Sequence, residues 1–213
     1  MAADVEPAPL RLMIYDRTCR GRKLLPGLSH AWSSGGWLYR GLRRIDACHG
    51  VSSWPEALAW LTDYEPQRSI AEVQYWGHGK WGAAKIGSAS FGVGCLLRDH
   101  ELREPLERIR KRMLPGDHGL MWFRTCETFG AAPGHAFAAA MSESLGCRIA
   151  GHTYVIGHIQ SGLHSLMPGA EPSWAVDEAL TAGTPTHPEK AAWSSWRAPN
   201  TITFLHGRIP AGY

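Results

Sequence analysis

Long apolar runs are missing from this sequence of 213 residues. No stretch approaches the roughly 18 apolar residues that a membrane-spanning helix requires, so no membrane segment is expected. The first nine residues also lack the basic and then apolar pattern of a secretory signal, which predicts a cytoplasmic protein. An excess of one charge is missing as well, because the formal net charge of +3 is mild and does not indicate a nucleic-acid partner.

Paired cysteines and cofactor motifs are also absent. The five cysteines are scattered and include no Cys-x-x-Cys pair, which argues against a disulfide framework and a structural zinc site. No phosphate-binding glycine loop, dinucleotide fingerprint or His-Glu-x-x-His motif occurs, so neither a cofactor nor a metal is predicted. Apolar residues make up 44% of the chain and charged residues 19%, the balance of a globular protein. We therefore expect a single domain over residues 1–213, with 1–9 frayed.

Predicted strands and helices alternate through most of the chain. Strands are predicted at 10–16, 44–51, 70–76, 119–125, 148–156 and 201–209, and helices at 55–62, 99–113 and 133–145. The other segments are a glycine-rich loop at 17–36, an ambiguous stretch at 37–42, a loop or small hairpin at 80–94 and an irregular region at 160–200. The alternation predicts an α/β fold, a three-layer αβα sandwich with a mostly parallel sheet.

Two residues with catalytic chemistry follow two consecutive predicted strands. His78 comes just after the strand that ends at Trp76, and Cys126 directly follows the strand that ends at Thr125. With one helix between them, these strands are expected to be parallel neighbours, whose carboxyl ends form the edge where α/β sheets bind ligands. A thiol becomes a strong nucleophile when an imidazole takes its proton, and the imidazole can later protonate the leaving amine. His78 and Cys126 are therefore predicted to be a catalytic pair.

Backbone groups beside this pair fit the same chemistry. Gly79 has no side chain, so a substrate can approach its backbone closely. The N–H groups of Gly79 and Cys126 are candidates for holding the oxyanion of a tetrahedral intermediate. Cys126 also precedes a predicted helix, whose positive end would help to stabilise a thiolate. These features predict a cysteine hydrolase that works through a thioester and needs no cofactor.

Two segments around the predicted pair carry a family resemblance: residues 75–79, Tyr-Trp-Gly-His-Gly, and residues 123–128, Phe-Arg-Thr-Cys-Glu-Thr. They resemble the two signatures of the caspase-like (clan CD) cysteine peptidases, and most of all those of the CHAT group. In that family a His-Gly pair ends one strand and the nucleophilic cysteine ends the next. The separation here, 126 − 78 = 48 residues, is close to the roughly 50 of caspases. The resemblance covers about residues 70–155.

The resemblance implies an endopeptidase that cleaves a protein or peptide substrate, with a bacterial signalling or defence role and activation by a partner protein or by self-cleavage. In caspases the position two residues before the nucleophile helps to line the specificity pocket. By this resemblance Arg124, with Arg17 nearby, would accept an acidic side chain, unless Arg124 forms an internal ion pair. Many CHAT-like peptidases prefer basic residues instead, and the candidate acids for such a pocket are Asp16, Glu127, Asp117 and Asp177.

Other interpretations remain open. Cys126 could be a buried structural cysteine in a catalytically inactive caspase-like interaction module. A histidine recurs every six residues at His152, His158 and His164, and this even spacing would place all three on one face of an extended strand. A His-rich metal-binding protein is therefore a second alternative. The tripeptide Cys48-His49-Gly50 joins the same two residue types as the predicted pair but has no matching partner motif.

Overall fold

Strands and helices alternate along the chain, which a computed structural model describes over residues 7–22, 25–210 and 212–213. In chain order the elements are β1 (Leu10–Asp16), β2 (Gly21–Arg22), β3 (Leu25–Pro26), α1 (Leu28–Gly41), β4 (Ala47–Val51), α2 (Trp54–Asp63), β5 (Ile70–Trp76), β6 (His78–Lys80), β7 (Ala83–Ile86), β8 (Ala89–Gly92), a 3-10 helix (Val93–Leu96), α3 (Arg103–Arg112), β9 (Gly116–Arg124), α4 (Ala131–Leu145), β10 (Cys147–His152), β11 (Ile159–Gln160), β12 (Leu163–Leu166), β13 (Leu180–Gly183), β14 (Pro188–Ala191) and β15 (Ile202–Thr203). Most of the predicted frayed start, residues 1–6, lies outside the described residues. Within the described ranges, no helix combines the length and the apolar character needed to cross a membrane.

Six of these strands form the central sheet, in the order β12-β10-β9-β5-β1-β4. All neighbouring pairs are parallel except β10 and β12, which pair antiparallel at one edge. The chain first adds β4 on one side of β1 and then adds β5, β9 and β10 on the other side. Ligands of open α/β sheets bind at the carboxyl ends of strands, close to such a reversal of strand order. The predicted α/β fold with a mostly parallel sheet is confirmed.

Apolar side chains cover both faces of the central sheet. On one face, Leu12, Val73 and Phe123 belong to a large buried cluster that includes side chains of α2, α3 and α4. On the opposite face, Met13 packs with Tyr39 of α1. Because neighbouring residues of a strand point to opposite faces, nearly continuous apolar strands are expected in a sheet that is buried on both sides. Helices therefore lie on both faces of the sheet, as the predicted αβα sandwich requires.

Helix α1 is an element that the sequence interpretation missed. Segment 17–36 is predicted to be a loop, yet α1 begins at Leu28 inside it. A β-carbon added to Gly35 would lie 2.8 Å from the ring of Trp76, and one added to Gly36 would lie 2.3 Å from the sulfur of Cys48. Glycine is a poor helix former, but here its small size lets α1 pack directly onto the sheet. Tertiary packing therefore outweighs the low helix propensity of this segment.

The C-terminal segment forms a shorter strand than the one predicted at 201–209. β15 contains only Ile202–Thr203, and it pairs with β11 outside the central sheet. Beyond β15, the hydroxyl of Tyr39 in α1 lies 2.5 Å from the carbonyl oxygen of Phe204 and 2.8 Å from that of His206. The Tyr39 hydroxyl thus supplies hydrogen bonds to these two carbonyl oxygens. Because a side chain supplies these bonds, the segment stays on the α1 side of the sheet without becoming a strand of the sheet.

Candidate active site

The two predicted catalytic residues follow neighbouring parallel strands at the same height of the sheet. β5 pairs with β9, and the last pair in register is Trp76 with Arg124. His78 and Cys126 each lie two residues beyond this pair. Adjacent strands lie about 4.8 Å apart, so the two segments leave the sheet side by side at its carboxyl edge. The predicted arrangement of strands around His78 and Cys126 is thus present.

The loop after Cys126 packs tightly against the His-Gly segment. A β-carbon added to Gly79 would lie 2.8 Å from the carbonyl oxygen of Cys126 and 2.1 Å from the hydroxyl of Thr128. The N–H of Trp81 donates to the carbonyl of Glu127 at 3.1 Å, next to the bond from the Gly82 N–H to the Thr128 carbonyl at 3.1 Å. The absence of a side chain at Gly79 is therefore what allows the two segments to meet.

The sulfur of Cys126 contacts the backbone of Ile156. The N–H of Ile156 donates to the sulfur at 3.4 Å, and the thiol lies 3.7 Å from the Ile156 carbonyl oxygen. Burial raises the pKa of the Cys126 thiol, the charge of Glu127 raises it further, and the hydrogen bond from Ile156 opposes both effects. The following helix, α4, begins at Ala131, five residues after Cys126, so stabilisation of a thiolate by its positive end stays a prediction. The surroundings of the sulfur therefore favour the thiol form of Cys126 over the thiolate.

The ring of His78 is exposed and lies beside α1. It meets the ring of Trp32 edge-on, with 5.4 Å between the ring centroids. Among the described residues, His78 makes no side-chain hydrogen bond, and none joins it to Cys126. The backbone placement that the prediction requires is therefore present, while no direct hydrogen bond links the two side chains.

Glu127, one of the predicted acids of the pocket, directly follows Cys126. It has a left-handed backbone with φ of 56°, a conformation that costs energy in a residue with a β-carbon. Burial raises the pKa of its carboxyl, while the charges of Lys80 and Lys85 act in the opposite direction. Lys85 is the cross-strand partner of His78 in the β6–β7 hairpin. Glu127, the chain neighbour of Cys126, thus lies within electrostatic range of two lysines, whereas Asp117 lies at the amino end of β9, on the opposite edge.

Arg124, the expected pocket arginine, is buried inside the protein with only 3% of its surface exposed. Its Nε and Nη2 donate to the side-chain oxygen of Gln160 at 3.1 and 2.7 Å, and its Nη1 donates to the Tyr39 hydroxyl at 2.7 Å. The guanidinium also lies over the rings of Trp76 and Trp122, 4.6 and 4.3 Å from their centroids. Its partners belong to the protein and none of them is an acid, so the structure gives Arg124 a structural role and leaves it no open face for a substrate.

The two residues around the end of β1 differ in what they can reach. Asp16 is buried, and its carboxylate accepts hydrogen bonds from the Thr18 N–H at 2.8 Å and from the Gly87 N–H at 3.1 Å. It therefore holds two loops together and does not face a substrate. Arg17 is largely exposed and forms an ion pair with Glu56 at 3.0 Å. Of these two predicted binding residues, Arg17 alone lies at an open cleft.

The three histidines of the possible metal site lie in different surroundings. His152 is fully buried, with its Nδ1 3.1 Å from the Ser161 carbonyl oxygen. His164 lies 2.7 Å from a carboxylate oxygen of Glu178, and His158 is exposed. In the part of the chain that the structure describes, no group of three His, Cys, Asp or Glu side chains could hold a metal ion. The geometry therefore gives no support to the alternative of a metal-binding protein.

We expect His152 to make folding stability depend on pH. Burial, helped by the positive charge of Arg124, lowers the pKa of His152 from 6.5 to about 3. The folded protein therefore keeps this ring neutral, while the unfolded chain binds a proton as the pH falls below about 6.5. Stability is thus lost between these two values, and urea unfolding at pH 7 and pH 5 should show a loss on the order of 2 kcal/mol from this group.

The matched variants are His152→Gln, which removes the titrating ring, and His118→Gln, which replaces a histidine with a 78% exposed side chain. His152→Gln should flatten the pH dependence of the unfolding free energy, and His118→Gln should leave it at the wild-type slope. Equal slopes in the wild type and His152→Gln would contradict the neutral buried ring.

Sequence reasoning missed several neighbours of the predicted pair. Lys80 lies two residues after His78, so its place on the same face of a strand follows from the alternation of side chains. Three other neighbours come from elements that are distant in the chain or were not predicted. The register of the β6–β7 hairpin places Lys85 opposite His78, helix α1 brings Trp32 to the His78 ring, and a loop after β10 brings Ile156 to the Cys126 sulfur. No local sequence signal identifies these three residues.

Comparison of the chain with models of protein families gives no match. Comparisons with curated proteins and with solved structures likewise give none. The resemblance to caspase-like peptidases therefore remains a prediction from two short segments, and the function is inferred from the geometry of the site.

Proposed function

We propose that this protein is a cysteine endopeptidase in which Cys126 is the nucleophile and His78 the general acid and base. The observation that carries the proposal is the paired placement of the two residues, each two positions beyond the Trp76–Arg124 pair of adjacent parallel strands. This arrangement agrees with the caspase-like pattern, in which a His-Gly pair ends one strand and the nucleophilic cysteine ends the next. The close packing of Gly79 on the Cys126 carbonyl supports it further, since it fixes the two segments against each other.

The proposed reaction starts from the protonated thiol. His78 takes the proton of Cys126 as the sulfur attacks the scissile carbonyl, and the N–H groups of Gly79 and Cys126 hold the resulting oxyanion. His78 then gives its proton to the leaving amine, the C–N bond breaks, and a thioester remains on Cys126. Water, deprotonated by His78, attacks the thioester and releases the acid and the free thiol. This cycle needs no cofactor.

The resting geometry favours a peptidase that requires activation. The pKa of Cys126 is raised by burial, and the exposed ring of His78 lies against Trp32. Binding of a peptide substrate, or of an activating partner protein, would turn the ring toward the sulfur. We place this activity in the cytoplasm because all five cysteines are free, which is typical of proteins in a reducing compartment.

The proposal is tested with a mixture of blocked peptides of diverse sequence, whose products are identified by mass spectrometry. The wild type should cleave a defined subset, and Cys126→Ala should lower the rate at least about a thousandfold because no acyl-enzyme can form. Cys19→Ala is the matched control and should retain the wild-type rate. Cleavage that survives in Cys126→Ala would contradict the proposal.

A second candidate function is a non-catalytic interaction module with the same fold. The observation that favours it is that the Cys126 sulfur contacts the Ile156 backbone and has no hydrogen bond to His78 among the described residues, while burial raises the pKa of the thiol. This candidate predicts that neither the wild type nor Cys126→Ala cleaves any peptide of the mixture. It also predicts that Cys126 reacts with thiol reagents no faster than the partly exposed Cys19.

A further inference from the structure

An open cleft of about 330 Å³ lies between α1 and the strands β1 and β4. Arg17, at the end of β1, and Arg40, near the end of α1, both line it, together with Trp37 and His49. The cleft is near the carboxyl ends of β1 and β4, where open α/β sheets bind ligands. Its wall includes Ser33, the neighbour of the Trp32 that touches His78.

The charges around this cleft are unbalanced in favour of the cations. In the described part of the chain, no acidic residue lines the cleft, and Glu56 of α2 pairs with Arg17 at 3.0 Å while also accepting hydrogen bonds from the N–H and hydroxyl of Ser52 at 2.8 and 2.6 Å. Among the described residues, no carboxylate lies within 4.0 Å of the Arg40 guanidinium. The His49 ring lies 3.9 Å from Glu56, so that one carboxylate is shared by two basic groups.

Trp37 and Cys48 also line the cleft, and their properties favour reversible binding of a ligand over covalent chemistry. Trp37 is 71% exposed, and the Arg40 guanidinium lies 6.0 Å from the centroid of its ring. A large, exposed aromatic ring beside a free cation is a common feature of recognition surfaces. Cys48 forms part of the wall, and burial raises the pKa of its thiol to about 12 despite the nearby charge of Arg40. The Cys48-His49-Gly50 tripeptide therefore lines the cleft and supplies no second nucleophile.

We propose that this cleft binds an anionic group, a carboxylate or a phosphate, between the guanidinium groups of Arg17 and Arg40. A guanidinium matches both anions through paired N–H donors, and Arg40 has these donors free of any acidic partner among the described residues. The anion can belong to an acidic side chain of a peptide or to a free phosphate, since the two share the chemistry that the cleft recognises. The proposal does not rest on hydrolysis at Cys126.

Isothermal titration calorimetry at low ionic strength tests the proposal with three probes. They are inorganic phosphate, a short peptide with blocked ends and one glutamate, and the same peptide with glutamine in its place. We expect saturable binding of phosphate or of the glutamate peptide, weakened by added salt, and no binding of the glutamine peptide. Arg40→Met should lower the affinity at least about tenfold, because a charge-assisted hydrogen bond is lost.

Arg108→Met is the matched control, because Arg108 is an exposed arginine of α3, which packs on the other face of the sheet. It should bind the probes as the wild type does, and circular dichroism should show that both variants are folded. Binding of phosphate alone would identify a free anion as the ligand, and binding of the glutamate peptide alone would identify an acidic side chain. Absence of binding by either probe, or equal affinity in Arg40→Met and the wild type, would overturn the proposal.

Discussion

Replacing Gly79 by alanine is expected to lower peptide hydrolysis by at least about a hundredfold. The added β-carbon would lie 2.1 Å from the Thr128 hydroxyl and 2.8 Å from both the Cys126 carbonyl oxygen and the β-carbon of Thr125. Separations this short force the loop that carries the nucleophile away from the His-Gly segment. A displacement of about 1 Å is enough to cost two orders of magnitude in rate, and it also moves the Gly79 N–H from the oxyanion.

Gly94→Ala is the matched control, because a β-carbon at Gly94 would have nothing within 4 Å. It should keep wild-type hydrolysis and wild-type stability. Gly79→Ala should also lower the free energy of unfolding by about 1–3 kcal/mol, the usual cost of overpacking, so urea unfolding is measured beside the kinetics. A folded Gly79→Ala protein with the wild-type rate would show that the two segments are not a catalytic unit.

Replacing Arg124 by methionine is expected to lower the free energy of unfolding by about 2–4 kcal/mol, because several buried acceptors lose their donor. The guanidinium is 3% exposed and donates to Gln160 and Tyr39, so its loss leaves buried polar atoms without a partner. It also donates to the carbonyls of the C-terminal segment at Thr203, Phe204 and His206. The segment that covers the α1 side of the sheet should therefore loosen, and the melting temperature should fall by roughly 10 °C.

The control for this prediction is Arg108→Met, which removes an exposed arginine of α3 and should change stability by less than about 0.5 kcal/mol. Hydrogen exchange followed by mass spectrometry locates the effect, because peptides that contain residues 202–209 should lose protection first in Arg124→Met. If Arg124→Met kept wild-type stability and changed only the preference among peptides, Arg124 would be a specificity residue and the structural role would be wrong.

The strands that carry the site could be predicted because their signals are local. Residues 70–76 and 119–124 are largely apolar segments separated by a charged helix, and this pattern can be recognised from each segment alone, although β9 begins three residues earlier than the predicted strand. The start of α2 is also a local feature, since the Ser53 hydroxyl accepts a hydrogen bond from the Glu56 N–H at 3.3 Å, the contact that a Ser-x-x-Glu spacing favours. The type of these elements and the adjacency of β5 and β9 were thus accessible from the sequence.

The surroundings of the site could not be predicted because they depend on residues far away in the chain. Hydrogen bonds to Gln160 and Tyr39 hold the Arg124 side chain inside the protein, and these two partners lie 36 and 85 positions from Arg124 in the sequence. The position of the His78 ring depends on Trp32, in a helix whose glycines and serines suggest a loop. Such contacts are set by packing between elements, which neither periodicity nor local propensity encodes.

The most direct test of the catalytic pair is the rate at which a peptidyl acyloxymethyl ketone modifies Cys126, followed by digestion and mass spectrometry. We predict that label accumulates on Cys126 well before the other four cysteines, and that His78→Ala slows this labelling at least about a hundredfold. His118→Ala, at the opposite edge of the sheet, should leave the rate unchanged. Labelling of Cys126 that is no faster than that of Cys19, or that proceeds equally in His78→Ala, would contradict the proposed peptidase.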